Sequence, residues 1–241
     1  DEPVDRLLPE LANRRVLTRA DALLDEMVPA ARPITLRDLL TFRSGYGMVM
    51  SWPEIYPIQQ AMDDLQLNQG SPSPQLPPEP DEWIRRLGTL PLIHQPGEQW
   101  LYNTGADILG VLIARAADQP LEAFMRERIF EPLGMPDTAF SVPESKIERL
   151  STCYTIDFET GERIVYDPAE GGQWSRPPAF PSAAGGLVST IDDVLAFGRM
   201  LLANGRSDGG RILSRASVET MTTDHLTPAQ KAVSGLFSGY F

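Results

Sequence analysis

The sequence has a single cysteine, Cys153, which rules out an internal disulfide and any cysteine-rich metal site. It leaves the redox compartment open, and Cys153 is expected to be a small buried residue. Histidine is almost as scarce. His94 and His225 are too far apart for a local metal pair and neither sits in an H-E-x-x-H helix, so no metal is expected. No glycine-rich phosphate loop follows a strand, which leaves nucleotide chemistry and a nucleotide cofactor without a foothold. A serine nucleophile on the α/β-hydrolase elbow, G-x-S-x-G between a strand and a helix, is not expected either. No run approaches about 18 consecutive apolar residues, so no membrane span is encoded. Positive charge is short as well: 21 Lys and Arg stand against 33 Asp and Glu, a net charge of −12 without a basic stripe. That balance argues against nucleic acid or anionic membrane as a partner.

What is present is a globular composition. With 42% apolar residues, 241 residues suit one large domain or two closely packed lobes. The chain opens on Asp-Glu-Pro-Val without a leader and closes on an apolar tract, so both ends read as cut from something longer. A cytoplasmic and a secreted location both stay open.

Helical signals come first along the chain. Thr35 to Asp38 reads as a capping box, and Leu36, Leu39 and Leu40 then share one face of a helix expected to end near Arg43-Ser44-Gly45. From 46 to 95 lies a long, lid-like insert, with amphipathic pieces around Ile58–Leu67 and Asp81–Leu87 and a Pro/Ser-rich run between Gly70 and Pro80. Between Thr104 and Ala117, Ile108, Leu109, Val111, Leu112, Ile113 and Ala116 crowd one broad face, as a mostly buried helix requires. A further helix begins at Pro120 and runs through Phe124 and Ile129 until Pro132-Leu133-Gly134 breaks it, giving a helical lobe.

Strand signals follow. Thr152–Ile156 and Arg163–Tyr166 flank Glu159-Thr160-Gly161-Glu162 as a hairpin, and a Gly/Pro-rich loop runs from Gly171 to Gly186. Thr190-Ile191-Asp192-Asp193 is a second capping box, continued by Val194, Leu195, Phe197, Met200, Leu201 and Leu202 to a stop at Asn204-Gly205. Helices and antiparallel strands in separate blocks make an α+β fold.

The chemistry-bearing tract is Gln95 to Gly110. A Pro96-Gly97 turn delivers Trp100 and Tyr102 to the start of the buried helix, where Asn103 and Thr104 can cap it. A tyrosine at a helix N-terminus sits in positive potential, which favours a phenol ready to exchange a proton and so a usable general base. Taken alone, the tract is more simply satisfied by Tyr102 as a packing aromatic and Asn103 as a cap. The acidic pairs Asp63-Asp64 and Asp192-Asp193 point about 100° apart on a helix, and the second has a sufficient role at its helix N-terminus.

Five segments, in order, resemble those of the serine β-lactamase-like family, which includes class C β-lactamases, penicillin-binding proteins and family VIII-type esterases. Asp1-Glu2-Pro3-Val4 to Leu8-Pro9-Glu10 looks like its D-D-P-V-x-x-x-L-P-E, and Ile34 to Gly45 like its I-T-x-R-x-L-L-T-H-x-S-G. Pro96-Gly97 to Gly110 resembles the tyrosine-bearing segment P-G-x-x-(F/W)-x-Y-(S/N), and Phe130 to Thr138 resembles F-x-P-L-G-M-x-D-T. Ala184-Gly185-Gly186-Leu187 to Asp193 resembles A-G-G-L-x-S-T-x-x-D.

The resemblance implies a β-lactamase/transpeptidase-like fold spanning 1–241 as one partial domain, a helical lobe packed with an antiparallel sheet, here without its N- and C-terminal parts. It implies a serine hydrolase that cleaves small esters or amides through an acyl-enzyme, an esterase before a β-lactamase, with no cofactor. Tyr102 takes the place of the family's proton-transferring tyrosine, with Trp100, Asn103 and Thr104 beside it for substrate. If Asn103 is instead aligned on the asparagine of Tyr-x-Asn, Leu101 falls on the tyrosine's place; the other register keeps a phenol. The family's Ser-x-x-Lys is absent: the only lysines are Lys146 and Lys231, preceded three residues earlier by Pro143 and Pro228. The nucleophile is therefore expected upstream of Asp1. The other reading is a catalytically silent scaffold or interaction module of the same fold.

Overall fold

A computed structural model describes residues 2–49, 51, 53–67 and 70–233. Strand β1 (Arg15–Leu17) pairs antiparallel with β2 (Met27–Pro29), and Leu92 extends this ladder in parallel, its N–H donating to the Arg15 carbonyl at 2.8 Å. Helix α1 (Leu36–Leu40) starts on the capping box seen in the sequence, with the Thr35 hydroxyl accepting from the Asp38 N–H and the Asp38 carboxylate accepting from Thr35. Asp38 has a second partner, Arg32, at 2.6 and 2.9 Å. Burial pushes the Asp38 carboxyl up, but Arg32 and Thr35 outweigh it and hold the group below its ordinary value.

Helix α1 stops at Leu40, short of the expected Gly45, because Phe42 already takes a left-handed φ of 57°. The turn lets 42–48 run beside 93–102: the N–H groups of Leu101, Gly97 and Ile93 donate to the carbonyls of Phe42, Arg43 and Gly45. Gly45 and Gly47 allow this approach, since a Cβ on either would collide with the His94 carbonyl or the Leu101 side chain. Burial holds His94 below its ordinary value, with Glu98 opposing.

Helices α2 (Pro57–Asp64) and α3 (Pro80–Leu87) belong to the 46–95 stretch and pack into the main core. Ile58, Met62, Trp83, Ile84 and Leu87 are fully buried with Tyr46, Leu39, Leu92 and Ile108. Trp83 stacks on Phe180 at 4.8 Å between ring centroids. The Pro/Ser-rich run is tied down too: the Pro72 carbonyl accepts from the Tyr166 hydroxyl at 2.7 Å, and the Gln75 amide donates to the Gln173 carbonyl at 2.9 Å.

Helix α4 (Thr104–Ala117) occupies the span its periodicity predicts, although Ala116, assigned to the buried face, is exposed. Helix α5 (Leu121–Met125) follows with Pro120 as its N-cap rather than its first residue. The expected single helix to Ile129 widens into a π turn at Arg126–Phe130 before α6 (Glu131–Leu133). The widening falls directly before Pro132, which has no N–H to continue the regular pattern. Gly134 ends the run in the left-handed region.

Strands β3 (Cys153–Ile156) and β4 (Arg163–Asp167) form the predicted hairpin. Cys153 is exposed, contrary to expectation, because this two-stranded unit leaves Tyr154, Ile156, Ile164 and Val165 in solvent as well. Helix α7 (Ile191–Leu202) begins with half of a capping box. The Thr190 hydroxyl accepts from the Asp193 N–H, but the Asp193 carboxylate turns to the Thr138 hydroxyl and the Asp137 N–H. Met200 buries against Phe130, Leu133 and Met135 in a second core, whereas Val194, Leu195 and Leu202 of the predicted apolar face are exposed.

The short ladder β5 (Arg206–Ser207) and β6 (Gly210–Arg211) leads to α8 (Arg215–Met221) and α9 (Pro228–Val233). Among the described residues the antiparallel content is thus small ladders rather than one broad sheet, and no helix is long and apolar enough to cross a membrane.

Candidate active site

Two stretches distant in sequence hold Tyr102. The Tyr102 carbonyl accepts from the Met48 N–H at 2.9 Å and from the Thr104 N–H at 3.1 Å. The second of these bonds spans a single residue, Asn103, whose φ of 76° and ψ of −75° are those of a γ-turn. A non-glycine residue in that region costs about 1–3 kcal/mol and persists only where the surroundings hold it. The strain lies where the chain passes from the 93–102 stretch into α4, and it sets the direction in which Tyr102 and Asn103 leave the backbone.

The phenol ring packs at 6.0 Å from Trp100, which in turn lies 6.1 Å from Phe42. Tyr102 is 42% exposed and none of the described residues hydrogen-bonds its hydroxyl. The phenol is thus open to solvent and packs at the end of a row of aromatic rings. Asn103 and Trp100 are half-buried beside it, while Thr104 is 1% exposed, so any part it takes is from beneath the surface. Asn103 is the N-cap by position but makes no side-chain cap bond to α4. The structure thus brings Trp100, Tyr102 and Asn103 together at one surface and sets Thr104 under them.

Sequence reasoning missed Asp107, on the same helix. It is 5% exposed and accepts from the Ser182 hydroxyl at 2.7 Å and the Ala184 N–H at 3.2 Å. Burial pushes its pKa up to about 6, against the lowering effect of Ser182 and the N–H groups of Ala184 and Ala183. The available signal was an acidic residue on the apolar face of α4, one position before Ile108.

A cleft of about 640 Å³ lies between α5–α6, the 135–150 stretch and the start of α7; Phe130, Thr138, Val142, Lys146 and Val188 line it, and none of Trp100–Thr104 does. Contrary to expectation, Gly205-Arg206-Ser207-Asp208-Gly209 does spell G-x-S-x-G. Ser207, however, sits in the β5–β6 ladder with its hydroxyl 3.3 Å from the Gly210 carbonyl, not on a strand-to-helix elbow.

The helices and small antiparallel ladders belong to a β-lactamase/transpeptidase-like fold. A family model described as Beta-lactamase matches residues 1–240. Protein Rv1367c of Mycobacterium tuberculosis is 42% identical over 237 residues, covering 98% of this chain and 55% of that protein. Lovastatin esterase of Penicillium rubens is 32% identical over 240 residues, covering 96% of this chain and 55% of the esterase. The solved structure of the LovD6 mutant of simvastatin synthase from Aspergillus terreus superposes with a TM-score of 0.67 at 27% identity, over 95% of this chain and 51% of that one. The chain belongs to the β-lactamase family and spans about half the length of the relatives it matches. At family level the chemistry is of the serine-hydrolase type.

Proposed function

We propose that the protein of which this chain is part is a serine hydrolase of small esters or amides, an esterase before a β-lactamase, and that Tyr102 transfers the proton. The observation that carries this reading is the open Tyr102 hydroxyl at a strained entrance to α4. A serine followed three residues later by lysine, outside these 241 residues, attacks the substrate carbonyl carbon, and the serine proton passes to the lysine–tyrosine pair. The tetrahedral intermediate collapses to an acyl-enzyme as the alcohol or amine leaves with a proton from the phenol, and water then releases the acid. Trp100 and Asn103 border the substrate and Thr104 supports them. Residues 46–95 are proposed as the lid and wall of the site, a reading supported by Met48 and Gly47 lying against Tyr102 and Leu101.

The test is hydrolysis of p-nitrophenyl butyrate by the full-length protein. Tyr102→Phe keeps the ring and is expected to lower kcat/KM by about 10²–10⁴-fold, the usual share of a general acid–base. A fall of less than about threefold would remove Tyr102 from the chemistry.

The second reading is a catalytically silent scaffold of the same fold, which one measurement separates from the first. A fluorophosphonate that labels full-length protein on one serine supports the hydrolase, and full-length protein that takes no label supports the scaffold.

A further inference from the structure

Asp107 is a buried carboxylate that no step above uses. It lies three residues beyond Thr104, about 5 Å further along the axis of α4 at the rise of a regular helix. Taking a carboxylate out of water is costly unless hydrogen bonds replace the solvent, and the partners here all come from one loop. The Ser182 hydroxyl donates to Asp107 at 2.7 Å and accepts from the N–H groups of Ala184 and Gly185 at 3.2 and 3.1 Å. The Ala184 N–H also reaches Asp107 itself, at 3.2 Å. One serine therefore closes the 182–185 turn and ties it to the helix.

Three further contacts show that the loop is seated and not merely touched. One turn along α4, a Cβ on Gly110 would stand 2.9 Å from that of Ala183, so the helix surface is cleared to let the loop in. On the opposite side a Cβ on Gly185 would lie 3.6 Å from Pro72, and the Trp174 indole N–H holds the Gly186 carbonyl at 2.8 Å. The loop stands between the first turns of α4 and the tract around Pro72.

We propose that Asp107 is a positioning residue which, through Ser182, fixes residues 182–186 as a wall seated on α4, the helix whose entrance bears Tyr102, and thereby sets how the acyl part of the substrate is held. The proposal rests on the reading of Tyr102 as the mark of the site. Asp107 touches none of the reacting atoms, so its removal acts on binding more than on the chemical step.

The experiment compares Asp107→Ala, Asp107→Asn and Ser182→Ala in the full-length protein, with kcat and KM for p-nitrophenyl butyrate and amide hydrogen exchange at Ala184 and Gly185. Loss of a charge-assisted hydrogen bond is expected to raise KM about tenfold or more in Asp107→Ala and Ser182→Ala while kcat stays within about threefold. Both variants should also lose protection at Ala184. Asp107→Asn keeps an acceptor oxygen of the same shape and is expected to retain protection and a KM within about threefold. A fall in kcat at unchanged KM, an Asp107→Asn as damaging as Asp107→Ala, or unaltered exchange at Ala184 in Asp107→Ala overturns the proposal. Full activity of Tyr102→Phe would instead sink the reading of the site, and the exchange measurement, which needs no turnover, would still decide whether Asp107 holds the loop.

Discussion

The carbonyl of Tyr102 accepts a hydrogen bond from the N–H of Thr104, 3.1 Å away and only two residues on, and Asn103 between them is held at a positive φ of 76°. Side chains branched at Cβ fit this region worst and glycine fits it best. Asn103→Val is therefore expected to destabilise the protein by about 1–3 kcal/mol relative to Asn103→Gly, measured by urea denaturation. Equal stability of the two would mean that the turn is not strained.

Gly47 packs against the Leu101 side chain so closely that a Cβ would collide with it. Gly47→Ala is expected to cost about 1–3 kcal/mol, as overpacking in a fitted core does, and to shift the 42–48 stretch away from Tyr102. Near-ultraviolet circular dichroism, which reads the ordering of Trp100 and Tyr102, should change with the midpoint of unfolding. A wild-type midpoint and spectrum would refute the close approach.

Asp107 makes stability depend on pH in a direction unusual for a carboxyl. Burial pushes its pKa from 3.8 up to about 6, so the folded chain binds this proton more tightly than the unfolded one. The contribution is present below about pH 4 and is lost as pH rises through about 6, a change of up to about 3 kcal/mol from this one group. Asp107→Asn, which cannot titrate, is expected to gain on the wild type between pH 4.5 and 7.5 in paired denaturation curves. A constant difference between the two would show that Asp107 does not carry this proton.

Trp83 is fully buried against Phe180, and among the described residues its indole N–H has no hydrogen-bond partner. Removing an unsatisfied donor offsets part of the loss of ring area. Trp83→Phe is thus expected to lie within about 1.5 kcal/mol of wild type, against about 3–5 kcal/mol for Trp83→Ala. Two variants equally destabilised would indicate that the N–H is satisfied after all.

The elements most legible in the sequence were those whose causes are local. The Thr35–Asp38 capping box, the span of α4 and the hairpin turn before Arg163 each depend on residues within a few positions of one another. Tyr102 was singled out on an equally local pattern, an aromatic residue directly ahead of a periodic helix, and its chemistry stands as a proposal. The errors lie where a distant partner decides. Helix α1 stops early because 42–48 must lie along 93–102, and Asp193 abandons its capping box for Thr138, 55 residues away. Cys153 and the outer residues of α7 looked buried by type and pattern, but burial depends on what packs opposite, which a one-dimensional pattern does not specify.

By itself, then, the sequence determined the family and the helix starts at Thr35, Thr104 and Thr190, because caps, turns and periodicity are short-range properties of the chain. Only the tertiary structure decided that Met48 and Thr104 share the Tyr102 carbonyl, that Asn103 is strained between them, and that Asp107 is buried against the loop at Ser182. Those relations join residues up to 75 positions apart, and their energies come from desolvation and close contact, which exist only once the chain has folded.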